Sequence, residues 1–203
     1  MKLYYAPGAC SLSPHIISRE AGINLNLVKV DTATHKTASG EDFYQINAKG
    51  YVPLLELDNG QRLSEGPIIA QYLADQAPQA NLIPPYGTLE RYRVMEWQSY
   101  ITSELHKSFS PLFNPAVDAA GKAVFAEALH KKFSWISTQL EGRSYLTGET
   151  FTVADAYLFT VAGWAKYVQL DLSGYQELQS YLARVAARPA VKEALKAEGL
   201  IAG

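Results

Sequence analysis

The sequence lacks a second cysteine, an excess of basic residues and a long apolar run. Its 203 residues include one cysteine, Cys10, so no disulfide can form within the chain. Lysine and arginine together number 18, against 20 aspartate and glutamate residues. Proteins that neutralise phosphate groups need the opposite balance. We therefore expect no nucleic-acid partner and no attraction to anionic membrane surfaces.

Targeting and membrane signals are also missing from the pattern. The stretch MKLYYAPGACSL has no apolar run of the signal-peptide type, and the longest mostly apolar stretch, around 153–165, is too short to span a bilayer. A lone thiol is typical of a reducing compartment. The sequence predicts a cytoplasmic protein.

The first 75 residues alternate short strands and helices. KLYYA and LNLVKVD have strand patterns and flank a helical stretch that ends at Gly22. VPLLELDNGQRL predicts a hairpin that turns at Asn59-Gly60, and SEGPIIAQYLADQ predicts a helix that opens near Pro67. The predicted order is β-α-β-(α)-β-β-α, an α/β domain over residues 1–80.

The remaining chain has the pattern of long helices. Residues 77–86 are proline-rich and predict a linker. Beyond them, Trp97, Ile101, Leu105 and Phe109 recur at every fourth position, which predicts a helix, and further helices are expected near 118–140, 152–169, 175–187 and after Pro189. Residues 87–203 are therefore predicted to form an all-α domain.

Cys10 lies between a Pro7-Gly8 turn and the helix-opening residues Ser11 and Ser13. The N–H groups and the dipole at a helix start favour the thiolate form of a cysteine. A small buried hydrophobic residue is the alternative. The context favours a reactive thiol, because thioredoxin-type β-α units carry their active-site residue at this place. Without a C-x-x-C partner, such a thiol needs an external thiol to complete a redox cycle.

Two other segments of the first domain have binding potential. In a thioredoxin-like order, the Val52-Pro53 bond that opens the third strand is expected to be cis, with the backbone groups of Val52 facing outward. A trans proline at a strand start is the simpler alternative. Glu65-Gly66 begins a helix, where N–H groups hold a carboxylate and an acid holds an ammonium group; ordinary capping explains the same residues.

One helix of the second domain has a polar stripe. Ser99, Ser103, His106 and Ser110 are spaced by four, three and four residues, so they are predicted to share one face. Small polar residues of this kind suggest the wall of a cleft, with His106 as a hydrogen-bond donor; a surface histidine among serines is the alternative. The other histidines have no metal-ligand spacing, so no metal site is predicted.

Together these segments resemble one known family. YAPGACSLSPHI, GYVPLLELDNG and LSEGPIIAQYLAD, followed by ELHKSFSPLF and FTVADAYLF, are similar to the bacterial beta-class glutathione transferases along the whole chain. The resemblance implies a thioredoxin-like first domain, an all-α second domain that forms the electrophile pocket, and a homodimer with the active site between the two domains. Glutathione is the implied co-substrate, with no metal.

The resemblance also implies the site residues. Cys10 is expected next to the glutathione sulfur or disulfide-linked to it, with His106 on the thiol side; these two are the implied catalytic residues. Val52 pairs with the cysteinyl backbone, Glu65 and Gly66 hold the γ-glutamyl end, and the neighbouring subunit supplies at least some of the Ser103 and Glu104 contacts. The complete implied set is Ala9, Cys10, His35, Tyr51, Val52, Pro53, Glu65, Gly66, Ser99, Ser103, Glu104, His106 and Lys107.

Two positions depart from the class pattern. His35 stands where the class usually has a lysine, and Ser99 where it usually has an asparagine. Both changes are expected to weaken the hold on glutathione, because histidine is mostly neutral at pH 7 and serine has a shorter reach. Lys36 is the candidate substitute for the missing lysine.

The predicted activity is conjugation of the glutathione thiol to a small hydrophobic electrophile, with thiol-disulfide exchange through Cys10. One alternative is a glutathione-dependent reductase or dehalogenase in which Cys10 is the covalent nucleophile. Another is a non-catalytic interaction protein that keeps the fold. The joint presence of Cys10, Val52-Pro53, Glu65-Gly66 and His106 favours an enzyme.

Overall fold

The computed structural model describes residues 1–202, which form two compact units. The first unit is Met1–Ile83 with the C-terminal segment that begins at Arg188, and the second is Pro84–Ala187. The last helix thus groups with the first unit, because it packs on the first helix of the chain. The domain limits 1–80 and 87–203 stay predictions.

Within residues 1–202, five strands form one mixed sheet: Lys2–Tyr5 (β1), Asn26–Asp31 (β2), Lys36–Thr37 (β3), Leu54–Glu56 (β4) and Arg62–Ser64 (β5). The spatial order is β3-β2-β1-β4-β5. β1 and β2 are parallel, and the other neighbours are antiparallel. A buried cluster lies on this sheet, made of Tyr4, Ala6, Val30, Phe43, Val52 and Leu54.

The α-helices, in chain order, are Leu12–Glu20 (α1), Phe43–Ile46 (α2), Gly66–Asp75 (α3), Leu89–Tyr100 (α4), Lys107–Phe113 (α5), Ala119–Gln139 (α6), Val153–Ala162 (α7), Gln176–Ala187 (α8) and Pro189–Ala197 (α9). A π-helical segment, Ile101–His106, joins α4 to α5, and 3₁₀ turns occupy Pro78–Ala80 and Gly163–Tyr167. Residues 84–187 contain helices and one isolated bridge, between Tyr145 and Gly148. The prediction of an α/β region followed by a helical one is confirmed.

Local sequence explains where the elements of the first unit end. Gly22 has a φ of 68°, and the N–H groups of Gly22 and Ile23 bond to Arg19 O and Ser18 O, which closes α1 in a Schellman motif. Gly60, with a φ of 81°, turns the chain between β4 and β5, as the Asn-Gly pair predicts. The two-residue strand β3 was not predicted, because its polar sequence has no strand pattern.

The C-terminal segment is tied to α1 by charged groups. Arg188 bonds both oxygens of Glu20, at 2.6 and 2.8 Å. Glu198 is buried, with one oxygen 2.8 Å from Nδ1 of His15 and the other accepting the N–H of Gly8 at 2.9 Å. The C-terminal segment therefore contacts and stabilises the turn that precedes Cys10.

In the second unit, Asp155 organises the start of α7. Its buried carboxylate accepts hydrogen bonds from Leu146 N, from both the N–H and the hydroxyl of Thr152, and from the hydroxyl of Tyr181. Burial raises the pKa of the Asp155 carboxyl to about 6, so the group is ionised at pH 7. Thr152 and Asp155 form a capping box at this helix start.

Among residues 1–202, no helix is both long enough and apolar enough to cross a membrane.

Candidate active site

Cys10 lies at the end of a tight turn, two residues before α1. The hydroxyl of Ser11 closes this turn by bonding both the N–H and the carbonyl of Ala6, at 3.1 and 3.2 Å. Gly8 adopts a φ of 72°, which side chains disfavour. The thiol of Cys10 is half-buried and donates a 3.3 Å hydrogen bond to the carbonyl of Val52. The thiol therefore lies at the edge where β4 begins.

The first turn of α1 offers fewer N–H donors to the Cys10 thiol than its position suggests. The N–H of Leu12 bonds to Ala9 O at 3.0 Å, and the N–H of Ser13 bonds to Cys10 O at 3.2 Å. These two donors are taken within the chain. They are therefore not available as hydrogen-bond donors to a thiolate at Cys10.

The Val52-Pro53 peptide bond is cis, as the thioredoxin-like order predicts. The side chain of Val52 is buried in the sheet cluster, while that of Tyr51 is exposed. The side-chain amide of Asn47 donates to the carbonyl of Tyr51 at 2.8 Å and fixes the approach to the bond. The carbonyl of Val52 thus faces the thiol of Cys10 rather than the sheet.

The start of α3 completes this edge. Glu65 has a φ of 71°, a conformation that costs a residue with a side chain about 1–3 kcal/mol and is typical of functional sites. A Cβ placed on Gly66 would lie 3.7 Å from Cγ of Pro53 and 4.0 Å from the carbonyl oxygen of Cys10. Three separate parts of the first unit therefore converge at Cys10, Pro53 and Gly66.

Sequence reasoning missed a cation at this edge. The ammonium of Lys49 is 2.9 Å from Oε1 of Glu65 and 3.0 Å from the hydroxyl of Ser64. Both side chains of the ion pair are more than half exposed, so it contributes little to stability. The sequence has no signal for this contact, since Lys49 and Glu65 are 16 positions apart in different elements.

His35 is held by the loop that precedes Val52. Its Nδ1 is 3.1 Å from the carbonyl of Gly50, and its ring packs on Tyr44 with 4.5 Å between centroids. Gly50 has a φ of 68°, and a Cβ there would meet the Tyr44 ring at 2.5 Å. His35 therefore acts in this structure as a support of the loop, while Lys36 is exposed on β3.

The second unit presents its candidate residues on the π-helical segment and on the helices at its two ends. Apolar residues at every fourth position drift by about 40° per step around an α-helix. A wider π turn removes this drift, and Ile101, Leu105 and Phe109 are all fully buried. The unbroken spacing of four was therefore a usable signal for this irregularity, which the prediction of one regular helix did not include.

The π turn also divides the predicted polar stripe. Ser99, Ser103 and Ser110 are exposed, and the hydroxyl of Ser103 bonds back to the carbonyl of Ser99 at 3.2 Å. His106 is half-buried instead, with Nδ1 2.7 Å from the hydroxyl of Tyr157 and its ring 4.8 Å from that of Trp164. The common face of these four residues stays a prediction, although the spacing argument assumed 3.6 residues per turn and did not include the π segment.

Glu104 and Lys107 complete this set. The Glu104 carboxylate is 3.0 Å from the ammonium of Lys132, whose hydrogen bond and charge hold the pKa of that carboxyl below its usual value. Lys107 is exposed at the start of α5. The predicted residues thus form two sets, one in each unit. The first set is Ala9, Cys10, His35, Tyr51, Val52, Pro53, Glu65 and Gly66, and the second is Ser99, Ser103, Glu104, His106 and Lys107.

Among residues 1–202, no group of three or more histidine, cysteine, aspartate or glutamate side chains could hold a metal ion. A metal-free site stays a prediction. The groups at Cys10, Val52 and Glu65 are suited to a peptide-like thiol, because they offer a sulfur, a backbone acceptor and a carboxylate along one edge.

Two family models match the chain. The model described as glutathione S-transferase, N-terminal domain, covers residues 1–75, and that of the glutathione S-transferase C-terminal domain covers residues 100–189. Glutathione S-transferase GstA of Escherichia coli O157:H7 is 45% identical over 200 residues, which is 98% of this chain and all of the relative.

Solved structures agree with this result. The ternary complex of BphK, a bacterial glutathione S-transferase, is 54% identical with a TM-score of 0.96, covering 98% of this chain and 100% of that one. The bacterial beta-class glutathione S-transferase of Sphingomonas chungbukensis is 46% identical with a TM-score of 0.96, covering 99% and 100%. The likeness extends over both units.

Proposed function

This chain belongs to the glutathione S-transferase family, in its bacterial beta class, and is an enzyme of that family; we propose that it conjugates the glutathione thiol to small hydrophobic electrophiles. The observation that carries the proposal is the convergence of Cys10, Pro53 and Gly66 at one edge of the first unit. In the reaction, the glutathione thiolate attacks the electrophile. A carbon–sulfur bond forms, and the leaving group departs with its electron pair while the thiol proton passes to solvent.

We propose that glutathione lies along this edge as an added strand. The backbone of Val52 pairs with the cysteinyl residue, and the Glu65 carboxylate with the α3 start at Gly66 holds the two charges of the γ-glutamyl end. Lys49 lies beside Glu65 and supplies a cation at this edge. Position 35, where the class usually has a lysine, is a histidine in this chain. Ala9, Tyr51 and Pro53 complete the contacts.

A second activity, thiol-disulfide exchange, is supported by the position of Cys10. Its sulfur is 3.3 Å from the carbonyl of Val52, the group proposed to bind the glutathione cysteine. In this exchange the Cys10 thiolate attacks the glutathione sulfur of a mixed disulfide between glutathione and a second thiol compound, and that compound leaves as its thiolate. A glutathione thiolate then attacks the Cys10–glutathione disulfide, which forms glutathione disulfide and releases the Cys10 thiolate, because the chain has no resolving cysteine.

The second set of residues is proposed to serve the same ligand. The family resemblance implies polar contacts from Ser99, Ser103, Glu104 and Lys107 and a hydrogen-bond donor at His106. We propose a homodimer in which a neighbouring copy supplies at least some of these contacts. The exposed apolar side chains of Leu89, Tyr92 and Met95, spaced by three along α4, support a second copy as their cover. Light scattering that gives a monomer mass at micromolar concentration would contradict the dimer.

We propose that the electrophile packs on aromatic rings of the helical unit. Phe113 and Tyr167 are half exposed and line a cavity of about 530 Å³. The ring centroids of Phe113 and Trp164 are 6.3 Å apart, and the ring of Trp164 in turn packs on that of His106. Phe113→Ala and Tyr167→Ala are expected to raise the KM for the electrophile several-fold and to leave glutathione affinity unchanged.

Retention on immobilised glutathione, followed by a chromogenic conjugation assay, tests the proposed function. We expect retention, elution by free glutathione and turnover of the chromogenic electrophile. Retention without turnover of any electrophile or disulfide would favour the non-catalytic alternative, and failure to bind glutathione would overturn the proposal. A cytoplasmic location, where millimolar reduced thiol is present, belongs to the same proposal.

A further inference from the structure

Lys132, on α6, has all three of its ammonium donors satisfied by the neighbouring helix. Its Nζ is 2.8 Å from the carbonyl oxygen of Glu104, 3.0 Å from Oε2 of the same residue and 3.0 Å from the hydroxyl of Ser108. A lysine ammonium has three N–H donors, so this arrangement uses each of them. The side chain of Lys132 is only 23% exposed, so these contacts are partly shielded from solvent.

Ser108 closes the arrangement into a ring. Its hydroxyl donates to the carbonyl of Glu104 at 2.6 Å and accepts from Lys132. The carbonyl of Glu104, within the π segment, thus receives two side-chain donors. These two side-chain donors therefore meet the backbone at a point where the helix is widened.

The opposite flank of the π segment is held as well. His106 is bonded to the hydroxyl of Tyr157 at 2.7 Å and packs on the ring of Trp164, both outside the α4–α5 helix. The segment Ile101–His106 is therefore fixed by α6 on one side and by α7 with the turn that follows it on the other. A return to α-helical geometry would rotate Ser103, Glu104 and His106 relative to one another.

We propose that Lys132 is a positioning residue of the glutathione site: by holding the carbonyl and the carboxylate of Glu104, it keeps the π turn that orients Ser103, Glu104 and His106. This inference rests on the proposed function, since those three residues are the ones proposed to meet glutathione from the helical unit. Lys132 acts through them and makes no contact with the reacting atoms.

The adjacent Lys131 provides a matched control. Its side chain is 74% exposed, and its ammonium pairs with Glu127 on the same helix at 2.7 Å. Lys131→Met removes the same charge from the same turn of α6 without touching the π segment. Any difference between the two variants therefore reports the contacts with Glu104 and Ser108.

The test compares Lys132→Met, Lys132→Arg and Lys131→Met with the wild type, by the Kd for glutathione and by kcat at saturating glutathione. We expect Lys132→Met to raise the Kd at least tenfold and to lower kcat by a smaller factor, because Ser103 and Glu104 lose their orientation while His106 keeps its hydrogen bond to Tyr157. Lys132→Arg, which keeps the charge and several donors, is expected within threefold of the wild type, and Lys131→Met is expected to be unchanged. If Lys132→Met does not fold, Ser108→Ala replaces it, with an expected rise of about threefold.

A Kd for Lys132→Met within twofold of the wild-type value would overturn the inference, as would an equal loss in Lys131→Met. The near-ultraviolet circular dichroism of the Trp97, Tyr100 and Trp135 rings, which pack across α4 and α6, gives a readout without glutathione. A signal that changes in Lys132→Met alone supports the role in the π turn, and an unchanged signal contradicts it. Failure of the wild type to bind glutathione would instead overturn the proposed function.

Discussion

The two sets of candidate residues are built in different ways. In the first unit, three elements begin at one edge, and the groups they present include backbone atoms such as the carbonyl of Val52 and the start of α3. In the second unit, one helix carries the set as side chains, and a π turn decides their directions. The geometry of the first set therefore depends on where chain segments begin and end. The geometry of the second set depends on how successive side chains are rotated around one helix axis.

This comparison predicts that substitution of Cys10 has the largest effect on activity. The sulfur of Cys10 is a side-chain group in a set of residues that otherwise contributes mostly backbone atoms. Cys10→Ala is expected to abolish thiol-disulfide exchange, with a loss of at least about 10³-fold, because no other cysteine can form the mixed disulfide. Conjugation is expected to stay within about tenfold, since glutathione brings its own thiol. Both rates are measured on the same folded preparation. Equal loss of both activities would contradict this division of roles.

The second set of candidate residues should be more sensitive to substitutions in the neighbouring helices of its unit. Asp155→Ala leaves buried donors of Leu146, Thr152 and Tyr181 without their acceptor, and the expected loss is about 3–5 kcal/mol of the free energy of unfolding. Because α7 also carries Tyr157, the partner of His106, activity should fall with stability. Urea denaturation provides the measurement, and a loss below about 1 kcal/mol would show that the four bonds to Asp155 matter little.

Much of the first set was predictable from the sequence, since turns and helix starts have local signals. Pro7-Gly8 before Cys10, the X-Pro bond at Val52-Pro53 and the helix start at Glu65-Gly66 each lie where those signals place them. The ion pair of Lys49 with Glu65 was not predictable, because it joins two elements that approach only through the sheet.

For the second set, the sequence pattern did not reveal the local geometry. The stripe from Ser99 to Ser110 assumed α-helical periodicity, which the π turn breaks between Ser103 and His106. The contacts of Lys132 and Tyr157 with this segment come from other helices, and pattern analysis of a single helix contains no information on them.

Within the first set, Glu65 should have the largest side-chain effect on binding after Cys10. Glu65→Ala is expected to weaken glutathione binding by about 1–3 kcal/mol, the range for a hydrogen bond to a charged group. Cysteinylglycine, which lacks the γ-glutamyl residue, is expected to bind the wild type and the variant equally. Calorimetry with both ligands distinguishes a local loss from a general one. Unchanged affinity for glutathione would remove Glu65 from the site.

Substitution of Gly50 should have a smaller effect, because Gly50 acts through the loop that leads to Val52. Gly50→Ala places a Cβ in the left-handed region and 2.5 Å from the Tyr44 ring, so we expect a loss of about 1–2 kcal/mol in the free energy of unfolding. Gly60→Ala is the matched control, because Gly60 has a similar φ but open space around its Cβ position. Glutathione affinity is expected to fall in the Gly50 variant alone, since its loop leads to Val52.

The most direct test of the central claim, that the first unit holds glutathione with its sulfur beside Cys10, is the rate at which Cys10 forms a mixed disulfide. Intact-protein mass spectrometry follows this rate against the concentration of glutathione disulfide and, separately, of cystamine, a disulfide without the peptide groups. The proposed site predicts saturation of the rate with glutathione disulfide and a linear rise with cystamine. A linear rise with both would show that Cys10 reacts by collision alone and would contradict the proposed site.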